Sequence, residues 1–200
     1  MGYIPNEWKN SNIIIFLKSS KDIDHPSCYH PISFLSCLGK HWEKIIKQRL
    51  MVILERRNIV LEHQAGFRSR KSTLNNTIRL TKHAQNHMHI SGCRRYAAVI
   101  LFDIKATIYT VWHGELIYKL NQLRVPHYLT NYLTSFAQNR TTVIEIENKL
   151  SRPFNFNSGT PQGSPFSPLV YIIYTGDSMN GIPQHTEHGL FTDDTVLWTS

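Results

Sequence analysis

The sequence predicts an α+β fold, an antiparallel sheet backed by helices. Three observations predict it. Short apolar runs at residues 13–17 and 97–102 are strand-sized. Residues 40–57 place Trp42, Ile45, Ile46, Leu50, Ile53 and Leu54 at helical spacing. Segments of the two kinds alternate without the strict strand–helix–strand rhythm of a parallel sheet.

In chain order, residues 13–17 read as a buried strand, and Lys18-Ser19-Ser20-Lys21-Asp22 as the turn after it. The helix at 40–57 turns Lys44, Lys47 and Arg49 to the opposite, solvated face. Ser72 is a suitable N-cap for a second helix running to about residue 90. A dense apolar strand at 96–102 ends in Asp103, and Val99, Ile100, Leu101 and Phe102 bury and hold it. Two helices follow, at about 113–123 and 126–138, with Pro126 suited to a first helical position. Residues 142–147 alternate as a half-buried strand does. A turn rich in Gly, Pro and Ser at 158–168 leads into a helical stretch through Ile173. The last element is a hairpin. Gly189-Leu190-Phe191 and Thr195-Val196-Leu197-Trp198 flank Asp193 and Asp194 at its turn.

Composition narrows the function classes. The 200 residues suit one domain or two small lobes sharing a core. With 41% hydrophobic and 18% charged residues the chain is globular rather than disordered. Its apolar runs are too short for a membrane helix, and no basic region with an apolar core opens it, which argues against a membrane partner or a leader. The net charge of +8 favours a polyanionic partner, nucleic acid above all. Cys28, Cys37 and Cys93 form no CxxC pair, which reads as ordinary buried thiols in a reducing compartment. An intracellular protein is expected, with nucleus and cytoplasm equally open.

Three features carry chemistry. If the strand ending at Asp103 neighbours the final hairpin, Asp103, Asp193 and Asp194 converge at one sheet edge. Such a cluster is electrostatically costly unless cations neutralise it, and paired divalent cations serve nucleotidyl transfer and phosphodiester hydrolysis alike. An exposed turn accounts for two adjacent aspartates as well. Gly159-Thr160-Pro161-Gln162-Gly163-Ser164-Pro165 permits close backbone approach, and Gln162 offers donors and an acceptor suited to bases or sugars. An ordinary loop shares that composition. His63-Gln64-Ala65-Gly66-Phe67-Arg68, with Arg70 and Lys71, could contact phosphates or be a solvated basic turn.

Taken in order, these motifs resemble one family. The series begins with Tyr29-His30-Pro31-Ile32-Ser33-Phe34-Leu35-Ser36, then Leu38-Gly39-Lys40 with Glu43, Arg49 and Leu50. It continues through His63–Arg68 with Ser72-Thr73, Asp103 with Val111-Trp112-His113, the loop from Gly159 through Ser167-Pro168-Leu169, and Phe191-Thr192-Asp193-Asp194. The chain resembles the reverse transcriptase domain of a non-LTR retrotransposon of the jockey-like kind, almost end to end.

The resemblance implies a right-hand polymerase fold, with fingers at 1–95 and palm at 96–200, and an RNA-directed DNA polymerase that copies an RNA template onto a DNA primer from dNTPs. Asp103, Asp193 and Asp194 match the metal-binding aspartates, for two Mg2+ ions with Mn2+ as a substitute. Gln162 and Gly163 match the loop beside the incoming nucleotide and template. Lys18 and Arg68 match basic positions that hold phosphates.

Departures from the pattern are specific. Ala106-Thr107-Ile108-Tyr109 stands where the family has Lys-Ala-Phe-Asp, so Ile108 replaces the aromatic that polices the nucleotide's sugar. His30 replaces an arginine, a titratable group for a permanent cation. Thr192 replaces an alanine, a small and tolerable change by this reading. The family continues beyond the Asp-Asp hairpin into a primer grip and thumb, so the sequence reads as truncated, with little processive activity expected because primer orientation supplies much of the catalysis. A catalytically inactive nucleic-acid binder, a poorly folding fragment and a two-metal nuclease are the competing readings.

Overall fold

Ile13, Ile14, Ile15 and Phe16 are β-branched or aromatic, which suits a pleated, half-buried surface. They lie in strand β1 (Asn10–Leu17) of a computed structural model that describes residues 2–18, 25, 28–88, 97–104, 108–192 and 194–199. β1 pairs antiparallel with β2 (Tyr29–Phe34), Ile14 opposite Ile32. On its other edge it pairs parallel with β4 (Arg140–Ile146), Ser11 opposite Thr142. β4 continues through the turn residues Glu147 and Asn148, both at positive φ, into β5 (Lys149–Leu150), and β6 (Phe154–Phe156) also pairs with β4. The expected single antiparallel sheet is therefore two sheets, and this one is mixed. Periodicity marks a strand but not its partner, and the helical segments between β1 and β4 provide the long crossover a parallel pair requires. The five-stranded sheet draws strands from both sides of residue 95.

The second sheet is antiparallel, in the order β3 (Ala98–Asp103), β8 (Asp194–Thr199), β7 (Glu187–Phe191). The expected hairpin is its β7–β8 pair. The expected burial of the strand before Asp103 is overturned. Every residue of β3 is exposed, Leu101 by 76%. Among the described residues β3 is an edge strand with β8 as its one sheet neighbour, and an apolar run identifies a strand without saying what covers it. β1 shows the same on a smaller scale: Ile13 is buried, whereas Phe16 and Leu17 run past the last β4 partner and are exposed.

The helices fall where their periodicity predicts. α1 (Cys37–Arg56) starts three residues early because Ser36 caps it, accepting from the Gly39 N–H at 3.3 Å. It buries Gly39, Glu43, Ile46, Leu50 and Leu54 and leaves Trp42 and Cys37 exposed, so Cys37 is not the buried thiol expected; it begins the helix on its outer face. α2 (Thr73–Met88) follows Ser72, whose backbone N–H donates to Asn75 Oδ1 at 2.7 Å, the reciprocal half of a capping box. α3 (His113–Gln122) and α4 (His127–Ala137) follow, with Pro126 at the N-cap rather than the first helical turn. α5 (Ser167–Tyr174) buries Leu169 through Ile173 without a break, as a helix at the centre of a core does. Around it pack Leu50 and Leu54 of α1, Leu116 and Leu120 of α3, and Leu133 and Phe136 of α4.

Candidate functional site

Asp103 is the last residue of β3 and Asp194 the first of β8, and in the antiparallel ladder the two are direct cross-strand partners. Phe191 faces Asp194 from β7. Like charges directly opposite one another are destabilising, and two converging carboxylates are the oxygen donors that hard divalent cations take. The two carboxylates thus suit a hard divalent cation in chemical kind. Asp193 lies outside the described residues, so two of the three expected carboxylates are seen together. Among the described residues no group of three or more His, Cys, Asp or Glu is gathered as a metal site.

Both aspartates line a cleft of about 400 Å³ between α2 and the three-stranded sheet. Thr73, Asn76 and Thr77 form its helical wall, and Leu101, Phe191 and Trp198 its sheet wall. α2 is fastened over β7 by Asn76, which donates to the Leu190 carbonyl at 3.0 Å, and by Arg79, which donates to the His188 carbonyl at 2.9 Å and pairs with Glu187 at 3.1 Å.

The segment His63-Gln64-Ala65-Gly66 is laid against the free edge of β7. Gln64 and Leu190 form a parallel bridge, with the Ala65 N–H donating to the Leu190 carbonyl at 2.8 Å and the Leu190 N–H to the His63 carbonyl at 3.2 Å. Gln64 is buried, and its Oε1 accepts the N–H of Gly66 at 2.9 Å and that of Thr192 at 3.2 Å. Gly66 has no room for a side chain, since a Cβ there would lie 2.5 Å from Thr192 Oγ1 and 2.6 Å from Thr192 N. Thr192 itself has φ +60°, rare for a β-branched residue. Its replacement of alanine is therefore less neutral than the sequence suggests. Gln64 was legible only as one letter of a motif, since nothing local in the sequence tells that it reaches a turn so far downstream.

Arg68 ties down its own neighbourhood. Its Nη1 donates to the carbonyls of Leu61 at 3.1 Å and Glu62 at 3.3 Å, Nη2 lies 3.6 Å from Glu55, and its side chain is 14% exposed. Lys18 sits just past β1, at the five-stranded sheet and not the carboxylate sheet, and its backbone N–H donates to the Cys28 carbonyl at 2.8 Å.

The loop around Gln162 is brought against Ile108. The Ile108 carbonyl accepts from the Thr160 N–H at 2.9 Å, and the Val111 carbonyl from the Gly159 N–H at 2.7 Å. The Tyr109 hydroxyl donates to Gln162 Oε1 and, at 3.4 Å, to the Pro31 carbonyl. Burial pushes the Tyr109 phenol above its ordinary range, which keeps it a donor. The Gln162 carbonyl accepts from the Ser33 N–H at 2.7 Å, and Gly163, at φ +121°, passes so near that a Cβ would lie 2.7 Å from the Ser33 carbonyl oxygen. Below the loop, Ser164 donates to the buried Glu43 carboxylate at 2.6 Å. Burial raises the Glu43 pKa, against the opposing pull of the Ser164 bond, Arg140 and Lys40. Ile108, Gln162, Gly163 and β2 thus form one cluster, and Asp103 and Asp194 another.

Residues 17–200 match the family model for reverse transcriptase (RNA-dependent DNA polymerase). The chain is 35% identical over 176 residues to the probable RNA-directed DNA polymerase from transposon BS of Drosophila melanogaster, covering 88% of this chain and 19% of that protein. It is 31% identical over 197 residues to the RNA-directed DNA polymerase from mobile element jockey of the same organism, covering 98% and 21%. The chain spans about a fifth of the length of these relatives. Among solved structures, a telomerase from Candida tropicalis in complex with the TWJ fragment of telomeric RNA superimposes with a TM-score of 0.69 at 12% identity, over 99% of this chain and 37% of that one. The apo telomerase of that organism truncated from its C-terminal domain gives 0.63 at 12%, over 100% and 45%. At such identity the likeness is one of fold. Among the described residues no helix is long and apolar enough to cross a membrane.

Proposed function

We propose, from the premise that the chain belongs to the reverse transcriptase (RNA-dependent DNA polymerase) family, that it carries the reaction centre of an RNA-directed DNA polymerase of the non-LTR retrotransposon kind. The observation that carries this reading is the Asp103–Asp194 pair, one carboxylate from each of two neighbouring strands, meeting at the end of a ladder beside a cleft. The reaction is attack of a DNA primer's 3′ hydroxyl on the α-phosphorus of a dNTP, opposite an RNA template. One P–O bond forms, another breaks, and pyrophosphate leaves. Divalent ions, two Mg2+ with Mn2+ as substitute, would be held by Asp103, Asp193 and Asp194 and would supply Lewis-acid activation of the hydroxyl and neutralisation of charge on the leaving oxygen.

The chain's own residues do the positioning. The β3–β8 ladder fixes Asp103 and Asp194 relative to each other before substrate arrives, and such orientation is a large part of the catalysis of phosphoryl transfer. Gln162 and Gly163 take the place beside the nucleotide and template, with Ile108 against the sugar. Lys18 and Arg68 contact triphosphate or template phosphates, Arg68 by exchanging its carbonyl partners for phosphate oxygens. Residues 1–95 act as fingers and 96–200 as palm, with the three-stranded sheet at the palm's centre and the β1–β4 pairing joining the two.

Primer extension on a primed RNA template, with Mg2+ and dNTPs, tests this beside Asp194→Asn and Asp193→Asn. Extension by the unaltered chain that disappears in both variants supports the reading. A folded chain that binds primed template and extends nothing overturns it in favour of a nucleic-acid binder.

A further inference from the structure

We infer that Gln64 is a positioning residue for the carboxylate-bearing turn, holding the Thr192 backbone so that Asp194 is delivered opposite Asp103. The inference rests on the polymerase reading above for what the turn is for, but on geometry for how the turn is held. The β7–β8 connection is two residues long, since Phe191 and Asp194 are already paired across the hairpin. So short a turn has few conformations, and here one of them puts a β-branched threonine at φ +60°. Such a conformation persists where its surroundings over-determine it. The over-determining contact is the Gln64 side chain, 2% exposed, whose Oε1 takes the Thr192 N–H at 3.2 Å.

Two further features make the contact specific to the turn. Gln64 Oε1 also accepts the Gly66 N–H at 2.9 Å, which fixes the amide in the orientation that reaches Thr192. Gly66 leaves the space that lets the segment approach, its Cα standing where any Cβ would meet the Thr192 backbone nitrogen at 2.6 Å. A buried glutamine that merely completed the β7 edge would do so through its backbone, as Ala65 does with Leu190. Gln64 uses its side chain, and aims it at the residue preceding the aspartate pair.

The test compares Gln64→Met, which keeps shape and removes the acceptor, with Gln64→Glu, which keeps an acceptor oxygen. Three quantities are read on the full chain: thermal unfolding, amide hydrogen exchange at Thr192, and binding of Mn2+ followed by water-proton relaxation. With one buried hydrogen bond at about 1 kcal/mol, Gln64→Met is expected to speed Thr192 exchange about fivefold. It also weakens Mn2+ binding severalfold while the protein stays folded, and Gln64→Glu recovers the Mn2+ affinity. Unchanged Mn2+ affinity in folded Gln64→Met overturns the inference and leaves the polymerase reading standing. If Gln64→Met fails to fold, a folded Gln64→Glu that loses Mn2+ affinity overturns it equally. An unaltered chain that binds no Mn2+ overturns the polymerase reading, and this inference with it.

Discussion

Tyr109 and Gln162 are joined side chain to side chain: the tyrosine hydroxyl donates to the glutamine's Oε1, and the backbone on either side of the pair is laced together. Tyr109 stands where the family pattern that the sequence resembles has an aspartate, which could only accept from Gln162 when ionised. Tyr109→Phe removes one neutral hydrogen bond and is expected to lower stability by about 1 kcal/mol, a fall in Tm of about 2–4 °C for a chain of this size. Because burial raises the phenol's pKa in the folded state, its stabilising share is full below the ordinary tyrosine value and is lost as pH rises through the folded one. The Tm difference between the unaltered chain and Tyr109→Phe should therefore shrink at strongly alkaline pH. Thermal melts of both proteins at neutral and alkaline pH check this.

Asp103 and Asp194 oppose one another, and among the described residues neither takes part in a salt bridge, so removing one charge should not cost the fold anything. Asp194→Asn is expected to leave stability unchanged or to raise it by about 0.2–1 kcal/mol in metal-free buffer. Adding Mg2+ reverses the order. The unaltered chain gains stability by mass action as its site fills, and the variant gains less. Melts with and without Mg2+ decide it, and equal Mg2+ shifts in both proteins would count against Asp194 as a ligand.

Glu43, hydrogen-bonded to Ser164 in the Gln162 loop, offers a pH prediction. Its carboxyl is buried and its pKa is raised chiefly by desolvation. Arg140, a buried cation whose charge acts on Glu43, directs Nη1 to the Phe136 carbonyl at 3.1 Å and Nη2 to that of Trp8 at 3.5 Å. Desolvation thus outweighs attraction. A raised carboxyl stabilises the fold below the ordinary glutamate pKa and loses that share as pH rises through the folded value. Glu43→Gln, which still accepts from Ser164, should match the unaltered chain at acidic pH and equal or exceed its Tm at pH 7. A lower Tm for the variant at pH 7 would mean that Arg140 needs the charge.

The helices and the hairpin were legible because each carries its own period or turn residues. α1 is written in Ile46, Leu50 and Leu54, and its true start in Ser36. The β7–β8 hairpin is written in apolar runs on either side of Asp193-Asp194. Pairing was not legible, because hydrogen bonding between strands is a property of two distant segments. That left unread the parallel β1–β4 contact, the exposed edge position of β3 and the docking of Gln64 on the Thr192 turn. Arg68 belongs with these. A guanidinium beside an aromatic reads as a phosphate contact, and only the folded turn reveals three backbone carbonyls within its reach.

Gly66 tests that docking from the backbone side. A methyl group there would stand 2.6 Å from the Thr192 nitrogen, and backbone cannot swing away as a flexible side-chain end can. Gly66→Ala is expected to cost about 1–3 kcal/mol, the usual range for forced overpacking. Thr192→Gly in the same chain should return part of that cost, since glycine removes both the facing Oγ1 and the penalty of a positive φ. Chemical denaturation of the two single variants and the double variant gives the coupling, and simple additivity would mean the two residues do not meet.

Ile108 carries the last prediction. Its carbonyl is fixed by the Thr160 N–H, so the residue's backbone is set by the Gln162 loop and its side chain is what departs from the family pattern the sequence resembles. Isoleucine is smaller than the aromatic of the family pattern, and in the proposed placement against the sugar it would leave more room beside a 2′ hydroxyl. Ile108→Phe should therefore sharpen the preference for dNTPs over rNTPs, and a contact of a few atoms in an apolar pocket discriminates by about 10–200-fold at most. Single-nucleotide incorporation with each triphosphate on a primed RNA template measures the ratio. An unchanged ratio in an active Ile108→Phe variant would remove the sugar-gate role from this position.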